Sequence, residues 1–117
     1  MPLKILLVDD SKVSRLALSK SLKRLDDSLE ISEAASADAA ELLLQEKSID
    51  LALIDYNMPD RNGLELAEVL LKSYPQMKQT LVTANIQDSI RDKAISMGID
   101  FIAKPAKAEE LAKVVGV

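Results

Sequence analysis

Five short apolar runs alternate along this chain with stretches whose apolar residues recur every three to four positions. The runs cover residues 3–8, 29–34, 51–54, 79–83 and 100–103. Residues 29–34 alternate apolar and polar, like a strand with one face covered. Leu51, Ala52, Leu53 and Ile54 are apolar throughout, as expected of a central parallel strand covered on both faces. Between the runs the helical period predicts five helices. Ser11 is placed to cap the first, which carries Leu18, Leu22 and Leu25 on one face, and Ser36 starts the second, which continues through Leu44 and ends near Lys47-Ser48. Pro59 and Asp60-Arg61-Asn62-Gly63 break the pattern before a third helix, with Leu64, Ala67 and Leu71 on one stripe, Leu66 and Leu70 beside it, and Pro75 at its end. Asn85 is predicted to cap a fourth helix bearing Ile86, Ile90, Ala94 and Met97, with Gly98 as its left-handed terminator. The last helix is predicted over 106–115.

Alternation of this kind calls for crossover connections and a doubly wound parallel sheet. The expected fold class is α/β, with five parallel strands in the flavodoxin-like order 2-1-3-4-5 and five helices. That order brings the first and third strands side by side at the switch point, where open α/β sheets build their sites. A chain of 117 residues fits one domain over residues 1–117. Little follows the last helix, so no output domain is expected within this length; a receiver-sized piece of a longer protein would read the same way.

Four of the five runs stop at a reactive polar group. Residues 3–8 run into Asp9-Asp10, residues 51–54 into Asp55, Leu81-Val82 into Thr83, and Phe101-Ile102-Ala103 into Lys104-Pro105. In a parallel sheet these ends share one edge, so groups far apart in sequence meet in space. Each has an ordinary reading when taken alone. Acids before Ser11 complement a helix dipole, Asp55 can cap a strand end, and Thr83 is a β-branched strand residue. Their joint arrival at one edge is what points to chemistry. Two unpaired carboxylates about 5 Å apart repel by roughly 3 kcal/mol at an effective dielectric near 20, so three together call for a cation. Lys104 supplies one positive charge and a divalent ion would cancel the remaining two.

Residue types absent from the chain narrow that chemistry. With no histidine, a Ser-His-Asp triad, a histidine-ligated zinc and a phosphohistidine carrier are all excluded. With no cysteine, disulfides, thiolate nucleophiles and sulfur-held metals are excluded as well. An oxygen-only donor set favours Mg²⁺ or Mn²⁺. A net charge of −4 without a basic, aromatic-interleaved stripe argues against direct nucleic-acid binding. No apolar stretch approaches the ~20 residues of a membrane span, and the start lacks the layout of a secretory signal. The expected location is the cytoplasm, with no membrane partner.

The Asp9-Asp10 pair, Asp55 with Met58-Pro59 and Gly63, Thr83-Ala84 and Lys104-Pro105, in this order and spacing, closely resemble the receiver domain of two-component response regulators. The resemblance covers essentially the whole chain and is nearest to the stand-alone chemotaxis type. It implies a phospho-accepting signalling module rather than a turnover enzyme. By it, Asp55 takes a phosphoryl group from a phosphohistidine on a sensor histidine kinase or a phosphotransfer protein. Asp10, Asp55 and the backbone carbonyl of Asn57 ligate Mg²⁺ directly, and Asp9 acts through water. Lys104 offsets the acyl-phosphate charge, and Ala84 leaves the approach open. Thr83 and Phe101 are the implied switch pair, with Phe101 lacking a hydroxyl and relying on apolar burial. The implied output surface is the fourth helix, fifth strand and fifth helix, including Arg91, Lys93, Lys107 and Lys113, directed at an unknown downstream protein. Asn57 and Asn85, two positions beyond Asp55 and Thr83, are where the family tunes loss of the phosphoryl group.

Two other readings stand beside this one. A Mg²⁺-dependent phosphatase with an aspartyl-phosphate intermediate needs a second acid two residues after its nucleophile, where this chain has Asn57. A scaffold that works without phosphorylation has no need of crowded carboxylates.

Overall fold

The computed structural model describes residues 2–116. Its elements are β1 (Lys4–Val8), α1 (Lys12–Leu25), β2 (Glu30–Ala34), α2 (Ala37–Glu46), β3 (Leu51–Ile54), α3 (Gly63–Ser73), β4 (Lys78–Thr83), α4 (Asp88–Ser96), β5 (Asp100–Ala103) and α5 (Ala108–Val115). The five strands are all parallel, in the order β2-β1-β3-β4-β5. Both features agree with the alternation read from the sequence. No helix among the described residues is long and apolar enough to cross a membrane.

Each sheet face has its own core because side chains alternate along a strand. Leu6, Val8, Ala52, Ile54 and Leu81 pack on one face with the buried residues of α2, α3 and α4. Ile5, Leu7, Leu51, Leu53, Val82 and Ile102 face the other way, toward Leu18 and Leu22 of α1 and Leu111 of α5. Every residue of β3 is buried, which is why that strand reads as a continuous apolar run.

Helix starts follow local capping chemistry. Ser11 Oγ accepts the Ser14 N–H, and Ser36 Oγ accepts the Ala39 N–H. Asn62 and Glu65 form a reciprocal capping box at α3. Two predicted starts are displaced. Asn85 does not cap α4: its N–H donates to Thr83 Oγ1 at 3.1 Å, holding the chain against the strand end. The helix therefore begins at Asp88 after Gln87, and Ile86, expected on its inner face, is 66% exposed. Ile90 and Ala94 are buried as expected, and Met97 packs against the core. The last helix begins at Ala108 rather than Ala106, with Glu110 Oε1 accepting the Lys107 N–H at 3.2 Å. Gly98 has φ +78, the left-handed conformation expected at the end of α4.

Among the described residues two buried side-chain oxygens lack a hydrogen-bond partner, Gln79 Oε1 and Thr80 Oγ1. Thr80 is 1% exposed, and its hydroxyl has no hydrogen-bond partner among the described residues. It sits beside Leu53 in register, on the face that Val82 shares. A buried hydroxyl left unpaired costs its desolvation, so Thr80→Val is expected to raise stability by about 1 kcal/mol. A urea titration would show the midpoint rising at unchanged slope; a fall would mean that the hydroxyl has a partner in solution.

Candidate functional site

Strand register sets the site. Val8 pairs with Ile54, so β1 and β3 end level and Asp9 and Asp55 emerge side by side. Asp55 N–H donates to the Val8 carbonyl at 2.8 Å, and Asp9 N–H donates to the Ala34 carbonyl at 3.0 Å. Thr83 pairs with Ala103, and Lys104 N–H then donates to the Thr83 carbonyl at 3.0 Å. The Lys104-Pro105 peptide bond is cis.

Asp9, Asp10 and Asp55 each offer a carboxylate oxygen, and the three oxygens lie within 4.8 Å of one another. Asp9 and Asp55 are buried, while Asp10 is exposed. Asp9 is fully engaged. Its Oδ1 accepts the Ser11 N–H at 2.9 Å, and its Oδ2 accepts from Lys104 Nζ at 2.6 Å. Arg15 holds the Asp9 carbonyl through Nη1 and is itself held by Glu33 at 2.8 Å. Lys104 Nζ is 3.6 Å from Asp55 Oδ1 and donates to Ser14 Oγ at 2.7 Å.

This geometry sets the two buried acids in opposite directions. Burial pushes the Asp9 carboxyl up, but the Lys104 ammonium, the Ser11 N–H and the Ser14 hydroxyl together outweigh it and hold Asp9 below the ordinary range. For Asp55 burial wins. The charge of Lys104 and the hydroxyl of Thr83 pull downward without cancelling it, Asp9 adds to the rise, and Asp55 lies above the ordinary range. Of the two buried acids, Asp55 is the one whose charge the protein compensates less. An all-oxygen cluster of this kind suits a hard divalent cation.

The other expected positions fall as follows. Thr83 is fully buried at the end of β4, with Ala84 exposed beyond it. Asn57 is exposed in the loop after Asp55. Phe101 is half-buried and packs against the core on the α2, α3 and α4 face. Arg91, Lys93, Lys107 and Lys113 are all exposed on α4 and α5 and at the start of α5.

Sequence reasoning missed the supports of this edge. Besides Ser14, Arg15 and Glu33, these include Asp60, whose carboxylate accepts the Ala37 N–H at 3.2 Å and the Asp38 N–H at 2.9 Å, fastening the loop after β3 to the start of α2. The Asp38 N–H is the main reason that the Asp60 carboxyl sits below its ordinary range. Arg61 reinforces this clasp through Asp38 and Glu41. Only the loop-breaking character of residues 60–63 was visible in the sequence.

A parallel sheet in this order gathers an acidic cluster, a lysine and a buried threonine at the carboxyl ends of its strands, where open α/β sheets build their sites. Residues 5–116 match the response regulator receiver domain, and the chain belongs to that family. Among curated proteins it is 32% identical over 116 residues to the response regulator protein VraR of Staphylococcus saprophyticus, and 33% identical to VraR of Staphylococcus aureus strain COL. Each alignment covers 98% of this chain and 56% of the relative, so the chain spans little more than half the length of those proteins. Among solved structures, a CheY-like receiver domain protein from Methanospirillum hungatei superposes with a TM-score of 0.88 at 27% identity, covering 99% of this chain and 92% of that one. Response regulator TrrA of Thermotoga maritima, solved in complex with Mg(2+)-BeF, gives 0.85 at 28% identity, covering 97% and 96%.

Proposed function

We propose that Asp55 is the phosphoacceptor of this module, and that residues 1–117 form one receiver domain charged by a phosphohistidine on a sensor histidine kinase or phosphotransfer protein. The observation that carries this reading is the position of Asp55, buried beside Lys104 at 3.6 Å and within a three-carboxylate cluster. An Asp55 oxygen attacks phosphorus in line, and the donor's P–N bond breaks with its electron pair left on the ring nitrogen. The donor must be another molecule, because this chain has no histidine.

Asp10, Asp55 and the Asn57 carbonyl are the direct ligands we assign for Mg²⁺, with Asp9 contributing through water. The engagement of both Asp9 oxygens supports that division, as does the exposure of Asp10. The Mg²⁺-containing complex of TrrA is consistent with the same cation here. When bound, Mg²⁺ supplies the positive charge that the protein lacks for the equatorial oxygens of the transferring group. Lys104 provides the other cation, and exposed Ala84 leaves the approach open.

Thr83 and Phe101 form the proposed switch. The buried Thr83 hydroxyl turns toward the phosphoryl group, and the half-buried Phe101 follows it inward, biasing the surface of α4, β5 and α5. That surface, with Arg91, Lys93, Lys107 and Lys113, is the proposed contact for a downstream protein in the cytoplasm.

Incubation with a small acyl phosphate tests the chemistry. The expected product carries one phosphoryl group per chain by intact mass with Mg²⁺ present and none with a chelator. Mg²⁺ alone should raise thermal stability, by about 2.7 kcal/mol at a hundredfold excess over Kd. Labelling that ignores the metal would sink the assignment.

A further inference from the structure

Lys104 does not approach Asp55 as a free side chain. Its ammonium has three N–H donors. One is used by Asp9 Oδ2 at 2.6 Å and one by Ser14 Oγ at 2.7 Å, while Asp55 Oδ1 stands at 3.6 Å, beyond an ordinary hydrogen bond. Ser14 is itself fixed. It lies in the first turn of α1, where its N–H donates to Ser11 Oγ at 3.2 Å, and the Ser11 N–H donates to Asp9 Oδ1 at 2.9 Å. A single helix start therefore grips both anchors of the ammonium. With Asp9 alone, the ammonium could pivot about one contact. With Ser14 as well, its direction is set, and the third donor is left for a group arriving on Asp55.

We propose that Ser14 is a positioning residue for Lys104, holding the ammonium where the incoming phosphoryl oxygens will stand and so setting the rate of phosphoryl uptake. This rests on Asp55 being the acceptor. In the test reaction the P–O bond of acetyl phosphate breaks, acetate leaves with the electron pair, and a new P–O bond forms to Asp55. Ser14 touches none of these atoms.

Ser14→Ala is a clean probe. The Ser14 backbone N–H still reaches Ser11, so the helix cap survives, and alanine is a better helix former than serine. Ser14→Thr keeps the hydroxyl. Two measurements decide the matter. The Lys104 ammonium protons should give a protected signal by nitrogen-15 NMR in wild type and Ser14→Thr, lost in Ser14→Ala. Labelling by acetyl phosphate should slow about tenfold in Ser14→Ala and return to within about twofold of wild type in Ser14→Thr. Mg²⁺ titration of each variant fixes the saturating concentration used for labelling, so that a change of metal affinity passed through the Ser14 and Lys104 contacts of Asp9 does not enter the rate. An unchanged lysine signal in Ser14→Ala overturns the anchor, and a wild-type labelling rate with the signal lost overturns its effect on uptake. A wild type that takes no label overturns the acceptor reading, and the rate effect with it. Failure of the anchor alone is recognised by normal wild-type labelling.

Discussion

Asp55→Asn is expected to lose phosphoryl incorporation to background, a fall on the order of 10⁴-fold or more, as for removal of an enzymatic nucleophile. The amide keeps the shape of the carboxylate but loses the anionic oxygen that the proposed chemistry needs as nucleophile, along with one negative charge of the carboxylate cluster. The fold should survive. Lys104 keeps its contacts with Asp9 and Ser14, and the substituted residue keeps its backbone bond to Val8. Stability should even rise at neutral pH. The folded-state pKa of Asp55 is raised by burial, so the unfolded chain ionises first as pH increases. Stability from the protonated acid is fully present below the unfolded pKa and is lost as pH rises through the folded one. Asparagine does not titrate and avoids that loss. Thermal melts should place the variant at or above wild type at pH 7, with the gap closing in acid. Labelling of the variant to the wild-type extent would remove Asp55 from the role.

Most of the site was legible because strand ends are legible. Asp9, Asp55, Thr83 and Lys104 each terminate an apolar run, and in a parallel sheet four such ends share one edge. What escaped was held by contacts with no local periodicity. Ser14 meets Lys104 across 90 residues, and Asp60 meets the start of α2 across 22 and 23. A serine in a helix start and an aspartate in a loop look the same with or without such partners. The displaced start of α4 has a different cause. Asn85 followed by Ile86 and Ile90 carries a good helix-start pattern, but the Thr83 hydroxyl captures the Asn85 N–H and keeps the chain extended past the strand. A tertiary bond at the site overrode a local propensity, and the exposed Ile86 is left in the segment between the buried threonine and α4.

Gly63→Ala is expected to damage the fold and the site together. In a helix interior alanine gains about 0.5–1 kcal/mol over glycine, so at Gly63, the first residue of α3, open space would make the change at most mildly stabilising. Here a Cβ would run into the backbone carbonyl of Asp55, with Leu81 Cδ1 only 3.0 Å away. The carbonyl cannot easily retreat. Asp55 is tied to Val8 at 2.8 Å and follows a strand buried on both faces. Gly63 is also bound, donating its N–H to the Tyr56 carbonyl at 2.8 Å. Either α3 lifts, disturbing Leu64, Leu66, Ala67 and Leu70, or the end of β3 moves. Overpacking of this kind costs typically 1–3 kcal/mol, and against rigid backbone the upper end applies, leaving a net loss of about 2 kcal/mol and a midpoint drop of roughly 8 °C. A displacement of Asp55 approaching 1 Å would slow labelling about a hundredfold. Gly98→Ala separates the two effects, since a Cβ added there would meet nothing within 4 Å beyond its chain neighbours and only the φ of +78 resists the change. It should lose stability through backbone strain at about 1 kcal/mol, yet label at the wild-type rate. A Gly63→Ala protein that is more stable than wild type would show that α3 does not press on the end of β3.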